Sequence, residues 1–202
     1  MSPPFRICFV CTGNICRSPM AASVFRARIA EAGLGGLVDV SSAGLGGWFE
    51  GEEADPRTVA VLRAGGYDHT HTARRFQPSW FDRLDLVIAL DSGHLRELHR
   101  LAPTARDAAK VRALRSYGAD AAADGSAGGD ADHGLLSAAG PGVEIGPTAG
   151  LDVPDPYYGG SARFEECLEM IEAAADGLVE AVRAAVTPGP PGHHHPEEKD
   201  SA

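Results

Sequence analysis

Residues 8–19 read CFVCTGNICRSP. Three cysteines, a glycine, an arginine and a Ser-Pro pair in so short a stretch allow three chemistries. The stretch is a metal knuckle, a redox pair, or a cradle for an anion with a nucleophile in its floor. Its flanks decide the fold first. Upstream, Phe5–Val10 (FRICFV) is a short apolar run of the kind that forms a buried strand. Downstream, Ser18 is a candidate helix cap and Pro19 suits a first helical position. The following residues space Ala21, Val24, Phe25 and Ile29 along one helical face, with Gly33 as the stop. LVDVSSA then reads as a second strand. Strand, loop, helix and strand in that order make a βαβ unit with parallel strands.

The alternation continues along the chain. ADPRTVAVLRAGG reads as a helix opened by Asp-Pro, and Leu84–Asp91 (LDLVIALD) as a strand. A helix bounded by Ser92 and Pro103 and a strand at Lys110–Leu114 follow. A last long helix carries Phe164, Leu168, Ile171, Leu178, Val182 and Ala185 on one side. The expected fold is α/β: a three-layer sandwich with a central parallel four-stranded sheet and helices on both faces. Residues 119–149 are rich in Ala, Gly and Asp without periodicity and read as a flexible insertion. Residues 187–202 read as a disordered tail. The three histidines of that tail make a poor metal site in a floppy segment.

Composition is that of a soluble chain, 44% hydrophobic and 23% charged over 202 residues. The formal charge of −10 argues against nucleic-acid binding, although most of it falls in residues 119–149 and in the tail. No apolar run suits a membrane span, and the N-terminal stretch lacks the pattern of a secretory leader. Four cysteines, three of them crowded together, suggest chemistry in a reducing compartment rather than a disulfide framework, hence a cytoplasmic protein.

The three chemistries can then be weighed. A closed zinc site wants four ligands, and no second Cys-x-x-Cys answers Cys8 and Cys11, so no metal is expected. A thioredoxin-like pair places its first cysteine at a helix start, whereas Cys8 falls inside the strand. Cys11 and Cys16 can still meet across one loop. The anion reading uses more of the residues. A loop running into a helix aims backbone N–H groups at one point, where the helix dipole favours negative charge. Gly13 permits the backbone angles of such a ring, Asn14 tolerates the left-handed region, and Arg17 offers a planar fork to phosphate oxygens. The same field favours the thiolate of Cys11, and Ser18 can donate a hydrogen bond to that sulfur.

With these residues in place, CTGNICRSPMA resembles the phosphate loop of the low-molecular-weight protein-tyrosine phosphatases. PDPYYGG (Pro154–Gly160) is similar to that family's Asp-Pro-Tyr-Tyr loop. SSAG followed by Trp48, and HTARR (His71–Arg75), also fall where the family has related segments. The resemblance implies a single phosphatase domain over residues 1–186, acting on phosphotyrosine-containing proteins without a cofactor. Cys11 would attack phosphorus and form a cysteinyl-phosphate. The amides of Thr12, Gly13, Asn14, Ile15, Cys16 and Arg17, with the Arg17 side chain, would hold the phosphoryl oxygens. A phenolate of pKa about 10 needs a proton to leave. On chemistry alone Asp152 and Asp155 both remain candidates to supply it; the resemblance selects Asp155. It further implies that Asn14, Ser42 and His71 brace the loop and that Trp48, Tyr157 and Tyr158 wall the substrate cleft. Relatives that act on phosphoarginine tend to carry threonine where this chain has Ile15, an apolar neighbour that suits an aromatic ring better than a guanidinium.

Two other enzymatic readings use the same cradle, protein-arginine phosphatase and arsenate reductase. The reductase needs resolving cysteines on a movable segment, and the one late cysteine, Cys167, falls in the last helix. A non-catalytic phosphotyrosine-binding module would need neither Cys11 nor Asp155. Cys16 adds an expectation of its own, a reversible disulfide with Cys11 under peroxide.

Overall fold

The computed structural model describes residues 3–118 and 150–187. The insertion expected at 119–149 and the tail beyond Thr187 lie outside the described residues. Strand β1 (Phe5–Cys11) lies between β2 (Val38–Gly44) and β3 (Leu86–Ala89), and β4 (Val111–Ala113) pairs with β3. All pairings are parallel, in the order β2-β1-β3-β4. Among the described residues five helices accompany the strands: α1 (Arg17–Glu31), α2 (Pro56–Ala64), α3 (Ser92–Leu101), the single turn α4 (Ala105–Ala108) and α5 (Ser161–Val186). Short 3₁₀ segments at Pro78–Asp82 and Leu114–Tyr117 were not foreseen in the sequence.

Alternation along β1 sorts the core into two layers. Ile7, Phe9 and Cys11 join the layer built with α1 and α5, around Phe25, Phe164, Ile171 and Leu178. Cys8 and Val10 face the other layer, with Phe76, Phe81, Leu95 and Leu98. The strand period of two therefore puts Cys8 and Cys11 on opposite faces of the sheet. Each fully buried Phe or Leu of these layers stabilises the fold by about 1.5–3 kcal/mol.

Helix boundaries follow their chemistry. Gly33, at φ +73°, closes α1: its amide bonds Ala30 O, and the amide of Leu34 bonds Ile29 O. Asp55 caps α2 through its bond from the Arg57 amide, with Pro56 at the first position. Two expectations need correction. Ser18 does not cap α1 and Pro19 is not its first residue; the helix begins at Arg17, two residues before the expected start, and its capping residue Cys16 offers no side-chain bond. The Ser18 hydroxyl is engaged instead with Asn14, Cys11 and Ala43. On α5, Leu168 is only partly buried against the core and Ala185 is exposed, so the buried stripe runs through Phe164, Cys167, Ile171, Ala174, Ala175, Leu178, Val179 and Val182.

Because β1 has a neighbour on each side, the chain leaves β1 and β3 in opposite directions. The crevice between their C-terminal ends is where open α/β sheets bind ligands. The loop after β1 and the residues Leu90–Asp91 after β3 meet there.

Candidate active site

Residues 11–18 wrap the start of α1, and their carbonyls are tied away from the centre of the loop. Cys11 O accepts from the amide of Leu45, Thr12 O from Gly46, and Ile15 O from Asp55. Asn14 O lies 2.6 Å from His71 Nε2. Conversely, no backbone amide from Thr12 to Ser18 finds an acceptor among the described residues. Such a ring of outward carbonyls and free amides is a nest for an anion, and the N-terminus of α1 adds its dipole.

Asn14 makes this geometry possible. It alone among the described non-glycine residues has a positive φ, 60°. Its side chain is fully used: Nδ2 donates to Ser18 Oγ (2.8 Å) and Ser42 Oγ (3.0 Å), and Oδ1 accepts from the Arg74 amide (2.9 Å). Burial, ahead of the neighbouring arginines, pulls His71 below its ordinary range despite its bond to Asn14 O. Asn14, Ser42 and His71 thus meet around one turn of the loop.

Cys11 lies in the floor, 3% exposed, with its sulfur 3.0 Å from Ser18 Oγ. The other described thiols are chemically quiet. Burial pushes Cys8 up to about 11. Burial, then the charge of Asp55, pushes Cys16 to about 12. Burial raises Cys167 to about 12 as well. Cys167 sits within α5 in the core, not on a movable segment, so the cysteine relay of a reductase has no counterpart here.

Arg17 is 3% exposed and fixed from several sides. Nη1 donates to Asp91 Oδ2 (2.8 Å) and Val153 O (3.1 Å), and Nη2 to Asp155 Oδ2 (3.0 Å). The two carboxylates between which chemistry alone could not choose occupy different places. Asp155 lines the cleft beside Cys11 and Arg17. Asp152 accepts the amide (2.7 Å) and hydroxyl (3.2 Å) of Ser92, which anchors the start of α3.

The cleft over the loop has a volume of about 380 Å³ and is walled by Ile15, Trp48, Phe49, Tyr157 and Tyr158. Trp48 is 73% and Tyr158 94% exposed, although the Trp48 ring lies over Gly46 of its own loop and Tyr158 meets the Tyr157 ring edge-on at 5.0 Å. Phe49 escaped the sequence reading, although its place beside Trp48 was a usable signal. Asp91 was missed too; an acid at the C-terminal end of the most apolar strand is where a parallel sheet puts functional groups. His94 gave no signal at all. It is buried, with Nε2 2.9 Å from Thr12 Oγ1 and Nδ1 3.1 Å from Asp91 Oδ1. Among the described residues no cluster of three His, Cys, Asp or Glu side chains is placed to hold a metal ion.

A parallel α/β sheet with an anion nest at its switch point, and a cysteine in the floor of that nest, defines a phosphate-loop protein built for thiol chemistry. Comparison with known proteins gives the family. A family model described as low molecular weight phosphotyrosine protein phosphatase matches residues 6–127 and 145–187. A low molecular weight protein-tyrosine-phosphatase of Streptomyces coelicolor is 63% identical over 182 residues, covering 90% of this chain and 96% of that protein. Low molecular weight protein-tyrosine phosphatase A of Mycobacterium tuberculosis is 42% identical over 178 residues, covering 88% and 91%. The crystal structure of a protein tyrosine phosphatase from Entamoeba histolytica superposes with a TM-score of 0.72 at 27% identity, covering 90% of this chain and 98% of that one. The chain belongs to the low molecular weight phosphotyrosine protein phosphatase family.

Proposed function

We propose that this protein hydrolyses phosphotyrosine in proteins through a cysteinyl-phosphate intermediate. The observation that carries the reading is the shared cleft of Cys11, Arg17 and Asp155 above a loop whose amides have no internal acceptors. A phosphoryl dianion entering the nest accepts from those amides and from the Arg17 fork. It thereby competes with Asp155 for Nη2, which frees the carboxyl to face the leaving oxygen. Cys11 Sγ attacks phosphorus from the side opposite that oxygen, and the P–O bond breaks as the P–S bond forms. Asp155, protonated from solvent once Arg17 has turned to the phosphoryl group, gives that proton to the phenolate, then takes one from the water that cleaves the P–S bond and releases inorganic phosphate.

Ser18 serves the sulfur in both charge states. Its single hydroxyl proton points to Ala43 O (3.2 Å) while Cys11 is a thiol, and turns to the sulfur (3.0 Å) when Cys11 is a thiolate. Trp48, Phe49, Tyr157 and Tyr158 receive the phenyl ring. Ile15 at the rim favours that ring over a guanidinium, which would lose water there without gaining a partner.

Two finer parts of the reading concern its setting. The protein works in the cytoplasm, where its four free thiols stay reduced. Under peroxide, Cys11 is oxidised to the sulfenic acid, and the Cys16 thiol condenses with it, releasing water and closing a disulfide that a dithiol reopens. Burial of Cys16 keeps that closure slow.

The test is phosphate release from a phosphotyrosine peptide by wild type and Cys11→Ser, with a phosphoarginine peptide in parallel. Turnover of phosphotyrosine that vanishes with Cys11→Ser is the expected result. Turnover of phosphoarginine alone would overturn the substrate assignment, and inertness on both would overturn the reading as a whole.

A further inference from the structure

Arg57, in the first turn of α2, stands outside the cleft yet is bonded to the loop that carries Asp155 and, through Asp55, linked to the phosphate loop. Nη1 donates to Gly159 O (2.8 Å) and Nη2 to Tyr157 O (3.0 Å), on the loop that carries Asp155. On its other side, Nε donates to Asp55 Oδ1 (3.0 Å) and Nη2 to Asp55 Oδ2 (2.8 Å). The amide of Asp55 in turn donates to Ile15 O (2.8 Å), within the phosphate loop. The guanidinium plane is covered by the Phe164 ring, whose centroid is 4.4 Å from Cζ, and flanked by Tyr157 at 5.8 Å. An ordinary surface arginine has no such set of partners.

The bonds continue to the acid itself. Tyr157, whose carbonyl Arg57 holds, donates its amide to Asp155 Oδ1 (3.2 Å). The other oxygen of that carboxyl is held by Arg17. When a phosphoryl group takes over Arg17, the bond from Tyr157 is the one that remains to orient Asp155. The carboxyl must then meet the leaving oxygen while its loop stays still.

Resting on the proposed phosphatase reaction, we infer that Arg57 is a positioning residue: it straps the acid loop to the phosphate loop and so sets the aim of Asp155. Arg57 touches neither substrate nor sulfur and contributes no proton. Its fork spans two carbonyls and a carboxylate at once, a geometry that a lysine ammonium cannot reproduce. Asp55 makes the strap rigid, and the Arg57 bonds hold its carboxyl below the usual carboxylate range.

The consequence is specific to proton transfer. With a well-aimed acid, kcat/KM changes little as the leaving phenol becomes more basic; with the acid misaimed it falls steeply. The experiment measures kcat/KM for wild type, Cys11→Ser, Asp155→Asn, Arg57→Ala and Arg57→Lys on a series of ring-substituted phenyl phosphates, with a thermal melt of each variant. Absence of Cys11-dependent turnover in wild type would overturn the phosphatase reading and the inference with it. Given that turnover, Arg57→Ala and Arg57→Lys should both steepen the dependence toward that of Asp155→Asn. On the most basic phenol kcat/KM should fall by about 10–100-fold, the scale of a misplaced catalytic group, and by far less on the most acidic one. A uniform loss across the series, or a lowered melting temperature with the wild-type slope, would make Arg57 merely structural and overturn the inference. Full recovery of the slope by Arg57→Lys would overturn it equally, since charge without the fork would then suffice. If Arg57→Ala does not fold, Arg57→Lys decides alone by its slope.

Discussion

Arg17 Nη2 and Asp155 Oδ2 lie 3.0 Å apart, so the candidate phosphate-binding arginine and the candidate acid are partners before any substrate arrives. A phosphoryl dianion competes for the same nitrogen, which makes ligand entry and release of the acid one event. Removing the carboxyl should therefore affect two quantities in opposite directions. Asp155→Asn is expected to lower kcat on phosphotyrosine by about 10²–10⁴-fold, the range for a positioned acid. Inorganic phosphate should bind the variant at least as tightly as wild type, since the competing anion is gone. Inhibition by phosphate measures the second quantity, and weaker inhibition would contradict the exchange.

Asp152 provides the contrast, being bonded to Ser92 at the start of α3. Asp152→Ala should cost about 1 kcal/mol, as losing a helix-capping side chain does. Turnover should stay near that of wild type. Denaturant titration and steady-state kinetics on one preparation separate it from Asp155→Asn.

Asn14 combines a left-handed backbone with three buried side-chain bonds. Asn14→Ala keeps neither the tolerance for that conformation nor the bonds, and should destabilise the protein by about 2–4 kcal/mol. Asn14→Gly restores the backbone freedom alone and should fall between Ala and wild type. A glycine variant as stable and active as wild type would show that the side-chain bonds do not hold the loop.

Gly44 pairs with Cys11 at the end of the sheet, under the phosphate loop. A Cβ there would come within 2.9 Å of Gly13 C and Thr12 O and 3.0 Å of Asn14 N. These are backbone atoms of the nest, so the loop itself must move. Gly44→Ala is expected to lower kcat/KM by about 10–100-fold and stability by about 1–3 kcal/mol. A crystal structure of the variant with bound phosphate would locate the shift.

His94 gives a pH dependence of stability with a defined sign. Burial, with help from Arg17, holds its pKa down to about 4 against an ordinary 6.5, although Asp91, Asp155 and Asp152 pull the other way. The unfolded chain therefore binds this proton first as pH falls. The stabilisation is complete above pH 6.5 and is lost progressively down to about pH 4, by about 3 kcal/mol in all. His71, also depressed, adds in the same direction. His94→Asn should show a smaller fall in melting temperature over that interval than wild type, and an equal fall would refute the assignment.

Much of this protein was legible without coordinates. Local signals give the elements: the apolar run of β1, the Gly33 stop of α1, the Asp-Pro opening of α2 and the helical spacing of α5. The chemistry between Cys11 and Ser18 was legible for the same reason, since a loop and the helix it enters are neighbours in sequence. Other parts depended on residues far apart along the chain. Arg17 finds its carboxylates at positions 91 and 155, His94 reaches Thr12 from another helix, and Arg57 grips carbonyls a hundred residues away. Ser18 shows why local rules fail there: a serine before proline reads as a cap, but in the fold its hydroxyl is taken by Cys11, Asn14 and Ala43. The sequence by itself determined the secondary structure and the kind of chemistry, because hydrophobic period and loop composition act over a few residues. Only the tertiary structure decided what holds Asp155 beside Arg17 and ties Asp152 to Ser92 instead, because those bonds form only after packing brings the strand ends together.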